Sequence, residues 1–277
     1  MSSLTGKVAL VTGSARSAGL GRAIATRLAN DGAAVMLTDI GAPAGAQFGA
    51  SHIGNMDDLA SAVRELTADG LRVAGMALDV RDEQGWQRAI AETVATFGRL
   101  DILVNNAGIG YLMQLVTELA WTDWEAVLAV NLGGPFLGTK HAARHMMAQG
   151  DGGRIINIAS QAAKSGFPYA AAYTSSKHGL IGLTRATALE LGAHGITVNA
   201  VCPNHVTTGL GAWQNEFFAQ KLGLTLDAYL DAMRQRIPLG RPGLPADTAA
   251  ACAWLASSEA QYVTGEALNV SGGEEMH

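Results

Sequence analysis

Three residues near the middle of the chain have types and spacing that suit acid–base chemistry. Ser160 follows the run RIINIA at 154–159, Tyr173 lies 13 residues further on, and Lys177 comes four residues later. On a helix, residues i and i+4 share one face, so the phenol and the ammonium can point into one site. A free phenol, with a pKa of about 10, is a poor base at neutral pH, but a nearby cation favours the phenolate and lowers that pKa. A hydroxyl such as that of Ser160 can then hold an oxygen whose charge changes during the reaction.

A Tyr-x-x-x-Lys pair taken alone is more often a solvent-exposed helix face, so other motifs must support this chemistry. A glycine-rich run, TGSARSAGLG at 12–21, follows the first predicted strand and leads into a helix. Such a loop lets the backbone approach a pyrophosphate, which the helix N-terminus binds through free N–H groups, whereas an ordinary turn has no need of this placement. We expect cofactor contacts from the following loop residues: Gly13, Ser14, Arg16, Ser17, Gly19, Leu20 and Gly21.

The second predicted strand ends at Asp39, followed by Ile40, and we expect both residues to contact the cofactor. An acidic residue at this point in a dinucleotide fold accepts hydrogen bonds from the adenosine ribose and repels a 2′-phosphate. Arg16 argues the other way, because an arginine can pair with that phosphate. Asp39 carries more weight in this comparison, so the predicted cofactor is NAD.

The elements that must position these residues alternate between strand and helix patterns almost from end to end. The predicted strands are 7–12, 34–39, 72–78, 102–105, 154–159, 197–202 and 267–270. The predicted helices are 21–30, 57–69, 82–97, 122–148, 168–191 and 246–257, with Thr122 and Glu125 as a capping box. This alternation predicts βαβ units, a parallel sheet and helices on both faces, in one α/β domain spanning 1–277. Two long connections stand out, one at 40–56 and a helical one at 207–244.

Composition narrows the possible partners and location. With 48% hydrophobic and 16% charged residues, the chain can form a well-packed core, and its net charge of −5 argues against binding nucleic acid. Cys202 and Cys252 indicate neither a disulfide framework nor a CxxC metal pair, and His141 with His145 lacks a third ligand of recognisable spacing, so we predict no metal. No signal peptide or membrane span is evident, which predicts a cytoplasmic location.

Together the motifs resemble the short-chain dehydrogenase/reductase family over nearly the whole chain. In chain order they are the glycine loop, Asp79-Val80, Asn105 to Gly108, Asn131, Ser160, Tyr173 with Lys177, Pro203 to Thr208, and LNVSGG at 268–273. The resemblance implies a doubly wound Rossmann-type domain with seven parallel strands, a substrate lid over 207–244 and a homotetramer. It also implies reversible hydride transfer between NAD and a secondary alcohol or ketone.

By the same resemblance, Tyr173 exchanges the proton, Ser160 positions the substrate oxygen, and Lys177 tunes Tyr173 and binds the nicotinamide ribose. Asn131 would support a water that relays protons to Lys177. Further cofactor contacts are implied for Asp79, Val80, Asn106, Ala107, Gly108, Pro203, Val206 and Thr208. The chain departs from the family in three places: five residues separate Gly13 from Gly19, Asn204 follows Pro203, and 40–56 is an insertion.

The substrate pocket is expected next to the catalytic residues. Its candidate residues are Gln161, Tyr111, Asn204, His205 and Trp213. Several can form hydrogen bonds, which favours a polyol, sugar or small diol, although nearby phenylalanines could equally form an apolar lid. Two alternatives stay open: an NADPH-dependent 3-oxoacyl thioester reductase, and a catalytically inactive dinucleotide-binding sensor.

Overall fold

The computed structural model describes residues 4–40, 54–110, 113–206 and 209–276, and for 209–212 it describes the backbone alone. Seven parallel strands form one sheet in the order β3-β2-β1-β4-β5-β6-β7. The strands are β1 Val8–Thr12, β2 Ala34–Asp39, β3 Val73–Ala77, β4 Ile102–Asn105, β5 Gly153–Ile158, β6 Ile196–Pro203 and β7 Ala267–Val270. All seven predicted strands are therefore present, and the doubly wound fold class is confirmed.

Helices cover both faces of this sheet. The helices are α1 Leu20–Asn30, α2 Met56–Ala68, α3 Glu83–Phe97, α4 Trp121–Leu128, α5 Gly134–Gln149, α6 Ala171–Leu191, α7 Gly209–Lys221, α8 Leu226–Arg236 and α9 Pro245–Ala256. Apolar side chains of α1, α2 and α9 pack on one face, and those of α3, α5 and α6 pack on the other. Strands buried on both sides read as continuous apolar runs, which is why VALVT at 8–12 was recognisable as a strand.

The strand order reverses between β1 and β4. The chain moves outward from β1 to β3 and then returns to place β4 on the other side of β1. In open α/β sheets, ligands bind in the crevice at the carboxyl ends of the strands at such a reversal. The residues after β1, β4, β5 and β6 therefore converge at one edge.

The prediction of one continuous helix over 122–148 is wrong in its detail. A π-helical turn, Ala129–Gly133, separates α4 from α5. The predicted capping box also fails, because α4 begins at Trp121 and Thr122 already lies within the helix. A capping residue needs a non-helical backbone, which here belongs to Ala120, a residue whose side chain has no acceptor.

The two long connections differ in how much of them can be described. Within the connection at 40–56, residues 41–53 lie outside the described residues, while Gly54 packs against Asp39. The 207–244 segment contains α7 and α8, whose apolar side chains meet around Tyr229 and Met233. Among the described residues, no helix is both long enough and apolar enough to cross a membrane.

Candidate active site

The predicted acid–base residues lie together at the carboxyl edge of the sheet. Ser160 and Tyr173 both line one cavity, and each is less than a tenth exposed. Ser160 lies two residues after the end of β5 in an extended conformation, and its Oγ accepts a hydrogen bond from the Ala162 N–H at 3.1 Å. Lys177 lies one helical turn after Tyr173 on α6, with its Nζ 5.6 Å from the centroid of the phenol ring. The i, i+4 spacing thus brings the phenol and the amine side by side.

Lys177 is buried without a carboxylate partner among the described residues. Its Nζ donates a hydrogen bond to the Ile158 carbonyl at 2.8 Å, and a Cβ on Gly108 would lie 3.8 Å from the same nitrogen. Burial penalises the charged form and lowers the pKa of Lys177 from 10.5 to about 8. The amine is therefore still largely protonated at neutral pH, beside the phenol.

Asn131 anchors the helix that carries Tyr173. It lies fully buried in the π-helical turn, where its side-chain amide pairs with both backbone groups of Ile109, at 2.9 and 2.8 Å. The same amide nitrogen donates to Ser176 Oγ at 3.2 Å, and that hydroxyl donates to the Tyr173 carbonyl at 2.7 Å. Asn131 thereby connects the loop after β4 to α6, and π turns of this kind are common at functional sites.

The glycine loop after β1 is built for close approach. Gly13 has a φ of +65°, and a Cβ on Gly21 would lie 2.2 Å from the Gly13 carbonyl oxygen. Gly19 precedes the first turn of α1, which has no side-chain cap. The N–H groups at the start of α1 are thus available to an anion. These features fit the pyrophosphate of a dinucleotide.

The side chains of Thr12 and Asn106 connect this loop to the turn after β4, and Thr12 was not among the predicted cofactor residues. Thr12 Oγ1 accepts hydrogen bonds from the N–H groups of Asn106 and Ala107, at 3.0 and 2.9 Å. Asn106 Nδ2 in turn donates to the carbonyls of Thr12 and Gly13, at 2.8 and 3.0 Å. The Asn-Ala-Gly turn after β4 is therefore hydrogen-bonded to the glycine loop across the reversal in strand order.

Asp39 lies at the end of β2 with its carboxylate held against the glycine loop. Its Oδ2 accepts from the Ala15 N–H at 3.0 Å, and its Oδ1 accepts from the Ile40 N–H at 2.9 Å. Burial raises the pKa of the Asp39 carboxyl, while the two backbone hydrogen bonds and the charge of Arg16 oppose that rise. A Cβ on Gly54 would lie 2.6 Å from Oδ2, so a glycine is required there.

The remaining predicted cofactor residues are distributed around the same edge. Asp79 forms a two-pronged ion pair with Arg81; burial raises the pKa of this carboxyl, but the hydrogen bonds from Arg81 outweigh burial and leave it lowered. Ser14 is fully buried and bonds to the Val11 carbonyl. Pro203 and Val206 line the cavity. Thr208 lies outside the described residues.

The cavity has a volume of about 370 Å³ and a mixed lining. Three of the predicted substrate residues, Gln161, Asn204 and His205, line it, whereas Trp213 packs against Phe217 and Tyr111 lies outside the described residues. Gln214, expected in the pocket beside Trp213, lines it as well, and so do residues that sequence reasoning missed: Asn215, Tyr229, Arg236 and Glu274. The apolar part comes from Phe167, Pro168, Phe218, Leu222 and Met233. No sequence motif pointed to Glu274, which lies in the segment after β7.

Among the described residues, no group of three or more His, Cys, Asp or Glu side chains is arranged to hold a metal ion. His141 instead lies 3.1 Å from the Glu83 carboxylate, and both cysteines are buried thiols.

Comparison with known proteins agrees with this geometry. A family model described as enoyl-(acyl carrier protein) reductase matches residues 13–275. A short-chain dehydrogenase/reductase of Armillaria gallica is 40% identical, over 97% of this chain and 95% of its own length. The chain belongs to the short-chain dehydrogenase/reductase family. D-threitol dehydrogenase of Mycolicibacterium smegmatis is 38% identical, over 98% of this chain and 93% of its own length.

Two solved structures of this family superpose on nearly the whole chain. An actinorhodin polyketide ketoreductase with NADPH covers 100% of both chains with a TM-score of 0.88 and 36% identity. Carveol dehydrogenase from Mycobacterium avium in complex with NAD covers 99% of both chains with a TM-score of 0.89 and 32% identity. The family therefore binds a nicotinamide dinucleotide, and its members differ in which one.

The buried amine of Lys177 makes a stability prediction with a defined sign. In the unfolded chain Lys177 is protonated up to about pH 10.5, but in the folded chain only up to about pH 8. Between these two values the unfolded state binds more protons than the folded state. The contribution of Lys177 to the free energy of unfolding therefore rises with pH over this range, and it is lost again as pH falls through 8. Relative to Lys177→Met, we expect the free energy of unfolding of the wild type to rise by on the order of 3 kcal/mol from pH 7 to pH 10.

Urea unfolding of both proteins at the two pH values, without nucleotide, measures this change. The lost hydrogen bond to Ile158 affects the variant at both pH values, so it cancels from the difference. Parallel pH dependence of the two proteins would contradict a lowered pKa for Lys177.

Proposed function

We propose that this protein reversibly transfers a hydride between NAD(H) and a secondary alcohol or ketone, with a polyol, sugar or small diol as the substrate. One observation carries the proposal: Ser160 and Tyr173 face a single cavity, and the buried Lys177 amine lies beside the phenol. A protein that only binds a dinucleotide has no need of this arrangement.

Each residue has a role that its contacts support. Tyr173 gives a proton to, or takes one from, the substrate oxygen, and the neighbouring Lys177 cation favours the phenolate. Ser160 holds the same oxygen through its hydroxyl. Asn131 fixes the start of α6 through its hydrogen bond to Ser176, and by the family resemblance it would also support a water that relays protons to Lys177. The nicotinamide, when bound, supplies or accepts the hydride.

The cofactor would lie along the carboxyl edge of the sheet. The glycine loop and the start of α1 would hold its pyrophosphate, and Asp39 would hold the adenosine ribose. Asp79 and Val80 would border the adenine, and Asn106 to Gly108 would shape the cleft. Lys177 would reach the other ribose, and Pro203, Val206 and Thr208 would border the nicotinamide.

The polar part of the cavity supports a substrate with several hydroxyl groups. Gln161, Asn204 and His205 line the cavity. The amides of Gln161 and Asn204 each donate one hydrogen bond to a glutamate carboxylate, and an amide has further donor and acceptor capacity with which to pair with a substrate hydroxyl. The similarity to D-threitol dehydrogenase agrees with this substrate class. The segment with α7 and α8 would then act as the lid.

A second candidate is reduction of a 3-oxoacyl thioester with NADPH. The superposition on the actinorhodin ketoreductase with NADPH favours it, as does the apolar side of the cavity. Asp39 argues against it, because a carboxylate at the end of β2 would repel a 2′-phosphate on the adenosine ribose.

Cofactor choice separates these two candidates. With a polyol as substrate, we expect the wild type to use NAD far better than NADP. Asp39→Asn keeps the shape and an acceptor oxygen but removes the charge, so the ratio of kcat/KM for NAD over NADP should fall about tenfold or more, as for losing a charge-assisted hydrogen bond. Spectrophotometric initial rates with each cofactor measure the ratio.

The matched control is Asp57→Asn, which removes an exposed carboxylate on the neighbouring helix α2. Its cofactor ratio should equal that of the wild type. If the wild type uses NADP as well as NAD, Arg16 outweighs Asp39 and the cofactor assignment is wrong. Activity restricted to NADPH and an oxoacyl thioester would support the second candidate.

A further inference from the structure

The segment after β7 returns to the substrate cavity. Gly272 and Gly273 have φ values of +64° and +94°, and Cβ atoms there would lie 2.7 Å from Ile237 and 2.9 Å from Pro238. Two glycines therefore let the backbone turn closely past the end of α8. Glu274, the next residue, lines the cavity.

Three side chains from two segments, the end of β6 and the end of α8, hold the Glu274 carboxylate in place. Asn204 Nδ2 donates to its Oε2 at 2.6 Å, and His205 Nε2 lies 3.5 Å from the same oxygen. Arg236 Nε, from the end of α8, lies 3.4 Å from Oε1. The Glu274 side chain is 15% exposed. It thus joins the end of β6 to the lid helix at the wall of the cavity.

The following residue fixes this segment on the opposite side. Glu275 Oε1 accepts hydrogen bonds from Gln161 Nε2 at 2.6 Å and from Ser165 Oγ at 3.0 Å. The segment is therefore anchored to the loop after β5 as well as to β6. Glu274 cannot move far from the cavity while these contacts hold.

The charges around Glu274 decide what it can bind. Burial lowers the pKa of His205, although Glu274 acts in the opposite direction, so the imidazole is predominantly neutral at pH 7. Arg236 is the nearby cation, and its side chain is 55% exposed, so solvent weakens its pairing. A carboxylate can accept about four hydrogen bonds, which leaves capacity for a donor from the cavity.

We infer that Glu274 determines specificity for neutral, hydroxyl-bearing substrates: its carboxylate accepts a hydrogen bond from a substrate hydroxyl and repels substrates that carry a carboxylate. Arg236 could attract such an anion, but the Glu274 carboxylate lies 3.4 Å from its Nε and opposes that attraction. This inference rests on the proposed function and names the substrate class that the site selects.

The test compares compounds matched in carbon number. Butane-1,2,3,4-tetrol and 2,3,4-trihydroxybutanoate differ by a terminal hydroxymethyl group against a carboxylate, and 2-butanol lacks the additional hydroxyls. For the wild type, kcat/KM should favour the tetrol over the carboxylate by at least about tenfold, as expected for like charges a few ångströms apart in a partly screened site. Glu274→Gln should reduce that ratio about tenfold, mainly by improving the carboxylate as a substrate.

Two further variants sharpen the comparison. Arg236→Gln removes the cation and leaves the Glu274 charge in place, so the ratio should rise, opposite to the effect of Glu274→Gln. Glu259→Gln removes an exposed carboxylate from the turn between α9 and β7, at the other edge of the sheet, and should leave the ratio unchanged.

Each other outcome has a distinct meaning. An unchanged ratio in both Glu274→Gln and Arg236→Gln would overturn the inference. A wild type that prefers the carboxylate would also overturn it and would assign anion binding to Arg236. Turnover of 2-butanol alone would overturn the inference while leaving hydride transfer intact. If the wild type oxidises none of the three compounds with NAD or NADP, the proposed function itself fails.

Discussion

Tyr173→Phe should lower kcat by at least about 100-fold while leaving the fold and the affinity for NAD unchanged. The substitution removes the hydroxyl proposed to exchange the proton, and general acid–base catalysis contributes roughly 10²–10⁴-fold. The ring itself packs against Ala162, Ala170 and Phe167, and phenylalanine preserves that packing. Initial-rate kinetics with a polyol and calorimetric titration with NAD measure the two quantities separately.

Tyr262→Phe is the matched control, because it removes the same hydroxyl from a fully exposed tyrosine. Its kcat and its affinity for NAD should equal those of the wild type. A Tyr173→Phe enzyme with near-normal kcat would contradict the assignment of Tyr173 as the proton donor and acceptor.

Gly21→Ala should damage both the stability of the protein and its binding of NAD. The new Cβ would lie 2.2 Å from the Gly13 carbonyl oxygen and 2.5 Å from Asn106 Nδ2. The Gly13 carbonyl oxygen and Asn106 Nδ2 cannot move away easily, because Asn106 Nδ2 is hydrogen-bonded to the carbonyls of Thr12 and Gly13. The start of α1 must therefore shift away from the glycine loop. We expect a loss of about 1–3 kcal/mol in the free energy of unfolding and an NAD affinity weakened on the order of 100-fold.

Urea unfolding and calorimetric titration with NAD measure these effects. Gly182→Ala supplies the control, since it adds the same methyl group to helix α6 at an exposed position with no atom within 4 Å. That variant should bind NAD normally and gain about 0.5–1 kcal/mol of stability, because alanine favours a helix. Normal stability and normal NAD affinity in Gly21→Ala would show that the glycine loop tolerates a side chain and would contradict its proposed role.

The local pattern of the sequence was enough to predict the strands and helices of the fold and to single out the candidate acid–base residues. Strands such as Val8–Thr12 are continuous apolar runs because both faces of the sheet are covered, and each such run is readable without knowing its neighbours. Ser160, Tyr173 and Lys177 are close in sequence, so helix geometry alone brings the last two onto one face. The glycine loop likewise lies between one strand and the next helix.

The local sequence pattern gave a wrong prediction where the structure departs only slightly from a regular helix. The π-helical turn Ala129–Gly133 interrupts what reads as one helix over 122–148, since a single wider turn barely changes the spacing of apolar residues. Only the folded structure revealed that Asn131 lies in this turn, with its amide bonded to Ile109 and Ser176.

The tertiary structure, and not the local sequence, decided which residues line the cavity. β7 pairs with β6 so that Val270 lies beside Pro203, and the Gly272-Gly273 turn then carries Glu274 to Asn204, 70 residues earlier in the chain. Arg236 reaches the same carboxylate from the end of α8. These contacts depend on the strand order and on a glycine turn, and neither feature produces a local periodicity in the sequence. Sequence alone therefore determined the fold and brought the candidate acid–base residues together, because both depend on near neighbours. The charge of the cavity wall depended on which distant segments the sheet brings together.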